Sequence, residues 1–289
     1  MQWYIFSFIA LITGSFYGLS KKWALNLKMS PERLLLYLFS GAFLAYFLYN
    51  FSNLGGLIQK ENFSTLLGWG LIIAILSFSG NLLDMYAAKN SPNIAYAESL
   101  KSTNAILITA ASVFIFSSEI SFLKVIGMVI ISLGLLPLLL SKSEIKEGQW
   151  KLPAFIALFL FAAMILIVRH LGNLDFKAQE ILLVLFFFAT IFCIFLNLFR
   201  GKSYEKRGSL IWLAILVAII SAFIANLANF SAIKLAPNAG YSQAIFNSGI
   251  VLTLIISRFV FSEDKGGDFN LLRWLGVLLV VGGVILIVL

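Results

Sequence analysis

Ten apolar segments, each about the length that an α-helix needs to cross a lipid bilayer, follow one another along this chain. A bilayer core of ~30 Å requires about 20 apolar residues in a helix. Hydrophobic residues make up 61% of the sequence and charged residues 12%, and the charges cluster between the apolar segments. The sequence therefore predicts an all-α integral membrane protein with ten transmembrane helices. Its apolar segments cover residues 2–20, 32–51, 66–88, 93–116, 122–140, 152–168, 179–199, 209–233, 239–261 and 271–289.

One stretch of 18 residues occurs twice in the chain. Residues 81–98 read NLLDMYAAKNSPNIAYAE, and residues 226–243 read NLANFSAIKLAPNAGYSQ. Seven positions are identical, and Phe8-Ile-Ala-Leu11 likewise recurs as Phe155-Ile-Ala-Leu158. Internal repeats of this kind define the units from which a fold is built. At two further positions an acid in the first copy matches its amide in the second: Asp84 with Asn229, and Glu98 with Gln243.

The repeat divides the chain into two halves of five helices each. Because five is an odd number, the second half must enter the membrane in the opposite sense to the first. Inverted repeats of this type are typical of secondary transporters, whose substrate sites lie near the membrane midplane between the repeats. We therefore expect two inverted five-helix repeats, residues 1–141 and 152–289, joined by a polar linker at residues 142–151.

Small residues mark places of close helix packing. The first segment carries Gly14, Ser15 and Gly18, which permit another helix to approach its backbone. The fifth and tenth segments each carry two glycines spaced seven residues apart, two turns along one face, and this spacing predicts that the two helices pack tightly together. These glycines are Gly127 and Gly134, and Gly276 and Gly283.

Cofactor and metal chemistry are not expected. His170 is the only histidine and Cys193 the only cysteine, and these two side chains are too few to form a zinc or copper site or a disulfide. The formal net charge of +8 indicates basic loops that contact lipid head groups rather than a nucleic acid.

The distribution of positive charge bears on the orientation of the chain in the membrane. If the N-terminus were inside, most lysines and arginines would lie in outside loops, so the positive-inside rule favours an external N-terminus. In this count Lys21, Lys22, Lys28 and Arg33 are all placed in the first loop.

Three ionisable residues, Asp84, Glu98 and Lys101, lie inside apolar segments, where a charge costs about 3 kcal/mol near the helix centre. Helical spacing places polar residues on one face of the third and of the fourth segment, and weaker polar faces recur on the eighth and ninth. We expect these faces to line one cavity. The candidate residues for substrate binding or coupling are Asn81, Asp84, Tyr96, Glu98, Lys101, Ser102, Asn226, Asn229, Tyr241, Gln243 and Asn247.

Two interpretations of the charged residues stay open. In one, Lys101 attracts an anionic group, while Asp84 or Glu98 accepts an ammonium group or carries a coupling proton, since burial favours proton uptake by a carboxylate. In the other, Glu98 and Lys101 only neutralise each other. Tyr96 and Tyr241 occupy equivalent positions and are candidates for walls or gates of the cavity.

The two five-helix halves, the short turns after the third and eighth helices, Phe116-Ser-Ser-Glu119 after the fourth helix and the glycines of the fifth helix resemble the EamA-type branch of the drug/metabolite transporter superfamily. This resemblance implies ten helices around a central cavity lined by helices one, three, four, six, eight and nine, with alternating access. It also implies cytoplasmic termini, in conflict with the orientation that the positive-inside rule favours. The chain departs from the family pattern in lacking a proline in the middle of its fourth helix. The Glu98–Lys101 pair is not a general family feature either, and the first helix lacks the buried glutamate of the related small multidrug exporters.

The leading hypothesis is a secondary transporter or exporter of a small polar metabolite in the plasma (cell inner) membrane, as a monomer or a homodimer. A flippase or transporter of a lipid-linked or nucleotide-linked sugar is the alternative within transport. An intramembrane enzyme with Asp84 and Glu98 as an acid–base pair is the alternative from another class. No enzymatic activity is expected from the leading hypothesis, and its partners are a small-molecule substrate, the lipid bilayer and a coupling proton.

Overall fold

The computed structural model describes residues 2–91, 94–139, 149–200, 208–260 and 271–289, and all regular secondary structure within them is helical. The predicted linker at 142–151 lies largely outside the described residues. A short 3₁₀ turn, Phe51–Asn53, joins α2 to α3. The helices are α1 (Trp3–Asn26), α2 (Pro31–Asn50), α3 (Leu54–Ile58), α4 (Phe63–Asn90), α5 (Ile94–Ser102), α6 (Asn104–Phe116), α7 (Phe122–Leu139), α8 (Lys151–Asn173), α9 (Ala178–Arg200), α10 (Ser209–Leu235), α11 (Ala239–Asn247), α12 (Ile250–Val260) and α13 (Leu271–Val288).

The helices have the length and surface of a multi-pass integral membrane protein. Within the described residues, eight spans are long and apolar enough to cross a membrane: α1, α2 with α3, α4, α5 with α6, α8, α9, α10, and α11 with α12. The described parts of α7 and α13 are shorter apolar helices. Large apolar side chains cover the outer surface, among them Phe114 at 88% and Phe199 at 87% exposure. A water-soluble monomer rarely exposes so much contiguous apolar surface, whereas lipid tails solvate it.

The fourth and ninth predicted segments are each interrupted near their middle. α5 and α6 are separated by Thr103, and α11 and α12 by Ser248–Gly249, which is the matching position in the repeat. Inside a bilayer, backbone groups freed by such an interruption need partners from the protein. Asn247 Nδ2 donates to the Ser102 carbonyl oxygen at 2.9 Å, and Ser15 Oγ donates to the Gly249 carbonyl oxygen at 2.8 Å.

Helices of the first half pack mainly on helices of the second half. α1 packs on α10, α4 on α8, α2 on α9, α6 on α11, and α7 on α13. The glycines of α7 and α13 lie in this last contact: a Cβ built on Gly134 would lie 2.7 Å from the Gly276 carbonyl oxygen, and one on Gly127 would lie 2.7 Å from that of Gly283. The predicted tight packing of these two helices is therefore confirmed.

The placement of Lys21 and Lys22 in the first loop is wrong, because α1 continues to Asn26. Lys22 is buried, and its Nζ donates to the Ala88 carbonyl oxygen at 2.7 Å. In the second half, Arg169 matches Lys22 when the repeated Phe-Ile-Ala-Leu motifs are aligned. Cations are favourable at helix C-termini, where backbone carbonyls lack intrahelical partners, and both residues serve this purpose. Arg169 Nη1 donates to three carbonyl oxygens at the end of α10, those of Ile233 and Lys234 at 2.7 Å and that of Ala236 at 2.9 Å.

Candidate functional site

A cavity lies at the centre of the helix bundle, between the two halves of the chain. The space in it that is open to the centre of a water-sized sphere is about 160 Å³. Like other small-molecule sites in proteins, it has apolar walls and a few polar groups. The walls come from α1, α2, α4, α5, α6, α8, α9, α10, α11 and α12.

Four charged side chains from three helices meet in the wall of the cavity. Lys21 of α1 donates to Asp84 of α4, and its Nζ lies 3.3 Å from Glu98 Oε1 of α5. Lys101 of α5 contacts the same two acids, with its Nζ 3.0 Å from Asp84 Oδ1 and 2.5 Å from Glu98 Oε2. Each charge therefore touches both charges of opposite sign. We call these four side chains the charged cluster.

The charged cluster has no net charge when its two lysines and two carboxylates are all ionised. This balance is needed because removing an ion from water into a protein interior costs several kcal/mol unless it is paired. The side chains of Lys21 and Asp84 are 2% and 4% exposed, whereas those of Lys101 and Glu98 are 17% and 18% exposed. Lys21 and Asp84 thus form the inner pair, and the outer pair is the one that a solute in the cavity can reach.

Aromatic rings adjoin both lysines of the charged cluster. Lys101 Nζ lies 5.3 Å from the centre of the Phe161 ring, and Lys21 Nζ lies 5.6 Å from that of Tyr17. The face of an aromatic ring attracts a cation within about 6 Å. The rings therefore hold the lysines in position without adding a further charge.

Sequence reasoning missed Lys21, although a signal for it was present. Gly14, Gly18 and Lys21 follow helical spacing along one face of α1, and all three line the cavity. Ending the first segment at residue 20, before two consecutive lysines, removed Lys21 from that face. The close approach predicted for this face occurs at Gly14, where a Cβ would lie 2.6 Å from the ring of Phe246, but not at Gly18, where a Cβ would meet nothing within 4 Å.

Amide side chains form a chain of hydrogen bonds that crosses between the halves. Asn229 Nδ2 donates to Gln243 Oε1 at 3.4 Å, and Gln243 Nε2 donates to Asn247 Oδ1 at 3.1 Å. Asn247 Nδ2 then donates to the carbonyl oxygen of Ser102 and to Oδ1 of Asn104, both at 2.9 Å. We call Asn104, Asn229, Gln243 and Asn247 the amide chain; all four line the cavity.

Comparison with known proteins identifies the family. The model of a protein family described as the EamA-like transporter family matches residues 149–289. The chain belongs to the EamA-like transporter family. A solved crystal structure of another protein superimposes on 98% of this chain and 94% of its own, with a TM-score of 0.75 and 15% identity, and 28 chains of solved structures match in all. At this identity the likeness concerns the fold. No curated protein sequence matches the chain.

Membership of the EamA-like transporter family makes this chain a membrane transporter of a small molecule and not an enzyme. The alternative of an intramembrane enzyme with Asp84 and Glu98 as an acid–base pair is therefore wrong. Both carboxylates are ion-paired with lysines. Within the described residues no group of three His, Cys, Asp or Glu side chains could hold a metal ion.

The cavity of this EamA-like transporter contains most of the predicted site residues. Helices α2 and α9, the second and seventh of the ten predicted segments, also contribute to the wall, which the resemblance did not imply. Asn81, in the cavity wall, donates from its Nδ2 to the Ser77 carbonyl oxygen at 2.9 Å. The lining includes Asn81, Asp84, Glu98, Lys101, Ser102, Asn226, Asn229, Gln243 and Asn247.

The two tyrosines differ from the other predicted residues of the EamA-like transporter. Tyr241 does not line the cavity: it is 1% exposed, and its hydroxyl accepts from the Ser121 backbone N–H at 2.9 Å and donates to the Glu119 carbonyl oxygen at 3.4 Å. It therefore fastens the loop between α6 and α7, which corrects the expectation of a cavity wall or gate at this position. Tyr96 lies in α5, but its side chain is outside the described residues.

Proposed function

We propose that this EamA-like transporter is a secondary transporter that moves a small amino-acid-like metabolite through the central cavity by alternating access. The observation that carries the proposal is the charged cluster, in which Lys101 and Glu98 form the outer pair. An ammonium group on the metabolite would approach Glu98, and a carboxylate on it would approach Lys101.

Charge balance favours a zwitterion over a simple ion as the cargo. A zwitterion brings one positive and one negative charge, so it can exchange ion pairs with Lys101 and Glu98 while the cluster stays neutral. A lone anion would leave one negative charge in excess within a medium of low dielectric, which is unfavourable unless a proton is taken up with it. Glu98, at 18% exposure, is the carboxylate within reach of such a coupling proton.

In alternating access, two inverted repeats move against each other around a fixed central site. The proposal therefore includes an inverted repeat of residues 1–141 and 152–289. The helix pairs support it. If each helix is replaced by its equivalent in the other half, the α1–α10 pair becomes the α8–α4 pair, which is also in contact. The α2–α9 and α7–α13 pairs each remain the same pair. The helix interruptions at Thr103 and Ser248 recur at matching positions. The caps made by Lys22 and Arg169 also recur on the equivalent helices α4 and α10.

The proposal also includes that the protein lies in the plasma (cell inner) membrane and exports its cargo. The cell fraction that contains the full-length protein tests the location. The direction is tested by measuring the flux of solute from preloaded vesicles under solute gradients of opposite sign.

Flux in proteoliposomes tests the proposed cargo. Vesicles with the purified protein are preloaded with a mixture of unlabelled amino acids, and exchange against labelled amino acids, organic anions and organic cations is measured. We expect exchange of zwitterions, and its loss in Lys101→Ala and in Glu98→Gln. Lys124→Ala is the matched control, because Lys124 lies in α7 outside the cavity, where it donates to the Ile287 carbonyl oxygen at 3.0 Å.

Two results would contradict the proposed cargo. One is exchange of organic anions or cations alone, without any zwitterion. The other is zwitterion exchange that survives both Lys101→Ala and Glu98→Gln at the rate of the unmodified protein. Size-exclusion chromatography of each variant verifies that a lost flux does not come from a protein that fails to fold.

A further inference from the structure

We infer that Asn229 Oδ1 accepts a hydrogen bond from the transported metabolite, so that the cavity selects zwitterions whose side chain carries a hydroxyl or N–H donor. The inference rests on the proposed function and adds a second recognition point at the amide chain, beside the charged cluster. The chemical class of cargo is thereby narrowed to polar amino-acid-like molecules.

The first argument is the direction of the amide chain, which its partners determine. The Ser102 carbonyl oxygen can only accept, so the group that Asn247 directs towards it must be the NH₂ group, Nδ2. Asn247 Oδ1 is then left to accept from Gln243 Nε2, and Gln243 Oε1 to accept from Asn229 Nδ2. Each amide is oriented by the next one, as in any hydrogen-bond network that fixes amide rotamers. The free end of the chain is therefore an acceptor, Asn229 Oδ1.

The second argument is burial. Asn229 is 5% exposed, and among the described residues its Oδ1 has no hydrogen-bond partner. A buried acceptor without a donor is unfavourable, and most such atoms in native proteins have a partner. Of the buried side-chain nitrogen and oxygen atoms that lack one in the described ranges, Asn229 Oδ1 is the one that belongs to a residue of the cavity lining. A donor on a molecule in the cavity would satisfy it.

The third argument is the repeat itself. Asn229 occupies the position that Asp84 holds in the first half. Asp84 is an acceptor whose oxygens are taken by Lys21 and Lys101. In the second half the acceptor is neutral, and its Oδ1 is left for a partner from outside the chain. The two halves thus present different chemistry to one molecule, ionic at the charged cluster and neutral at the amide chain.

The experiment compares isosteric pairs of amino acids that differ by one donor. The probes are L-threonine with L-valine and L-asparagine with L-leucine, each as a competitor of labelled L-threonine exchange in proteoliposomes. We expect the unmodified protein to prefer the member with the donor by about tenfold, the usual order for one hydrogen bond. In Asn229→Leu the preference should fall below about twofold, because the acceptor is gone. Ser231→Ala serves as the control on the same helix and should keep the tenfold preference. Among the described residues, Ser231 Oγ bonds only back to the Leu227 carbonyl oxygen, at 2.7 Å.

The outcomes separate this inference from the proposed function. Exchange of both members of each pair with the same preference in Asn229→Leu as in the unmodified protein overturns the role of Asn229 and leaves the zwitterion transporter intact. Exchange of none of the four amino acids by the unmodified protein overturns the role of Asn229, and it overturns the proposed function as well if no other zwitterion is exchanged. Asn229→Ala, which removes the acceptor without adding bulk, is measured in parallel, so that a folding failure of Asn229→Leu does not decide the result.

Discussion

Substitution of Lys21 tests whether the charged cluster is held together by its charge balance. Lys21→Met keeps the length and the apolar stem of the side chain but removes the ammonium. Asp84 and Glu98 are then left with Lys101 alone, and the cluster carries one uncompensated negative charge. We expect a large loss of stability, because the inner pair is 2% and 4% exposed and water cannot replace the lost partner.

The size of the loss can be worked out from the two contacts. At an effective dielectric constant of about 20, two unit charges about 4 Å apart attract each other by about 4 kcal/mol. Lys21 makes two such contacts, one with Asp84 and one with Glu98 at 3.3 Å. Removing the lysine also ends the desolvation of its own ammonium, which returns several kcal/mol. The difference agrees with the loss of about 3–5 kcal/mol found when one partner of a buried ion pair is removed.

Cys193 provides the assay. It is the only cysteine of the chain and is fully buried, so a dye that fluoresces on reaction with a thiol reports unfolding of the detergent-solubilised protein. With roughly 2–4 °C in Tm for each kcal/mol, Lys21→Met should melt about 6–20 °C below the unmodified protein. Lys101→Met should melt at a higher temperature than Lys21→Met, because Lys101 is 17% exposed.

A double substitution supplies the decisive control. Lys21→Met combined with Asp84→Asn removes one charge of each sign and leaves the Lys101–Glu98 pair, so we expect it to recover most of the lost stability. If Lys21→Met melts within about 2 °C of the unmodified protein, or if adding Asp84→Asn lowers its Tm further, the cluster is not held together by charge balance and the reasoning fails.

Three further predictions concern helix packing and helix ends, with Tm in the Cys193 assay as the measurement. Gly240→Ala should lower the Tm, because the new Cβ would lie 1.8 Å from Thr109 Oγ1 and 2.7 Å from the Ala105 carbonyl oxygen. Gly68→Ala is the control and should not lower it, because a Cβ there would meet nothing within 4 Å. Equal Tm values for the two variants would refute the close contact of α11 with α6. Arg169→Gln should destabilise by about 1.5–3 kcal/mol through loss of charged hydrogen bonds to the end of α10, with Arg169→Lys intermediate; a Tm of Arg169→Lys below that of Arg169→Gln would argue against a cationic cap. Tyr241→Phe should lower the free energy of unfolding by about 1 kcal/mol, because it releases the loop after α6. It should leave the ranking of exchanged amino acids unchanged, and an altered ranking would indicate that Tyr241 contributes to the cavity wall.

The polar faces were predictable from the sequence because an ionisable or amide side chain in an apolar helix has few places to go. Asp84, Glu98 and Gln243 cannot face lipid without a large penalty, so the face that carries them must be the interior one. The same argument fails for Tyr241, because a tyrosine packs well on either side of a helix. A lysine near a helix end is equally ambiguous, since its long stem can reach the water from within the membrane.

The sequence by itself determined that this protein is a helical membrane protein with two related halves, and which faces of its helices turn inward. Those features depend on apolar length and on spacing along one helix, and both can be read locally. Only the tertiary structure decided that Lys21 belongs to the site and that the free end of the amide chain is an acceptor. Both depend on partners far away in sequence, Asp84 for Lys21 and Ser102 for Asn247. Lys21 is stable inside the protein because carboxylates from other helices meet it, and an amide is oriented only by the group it faces.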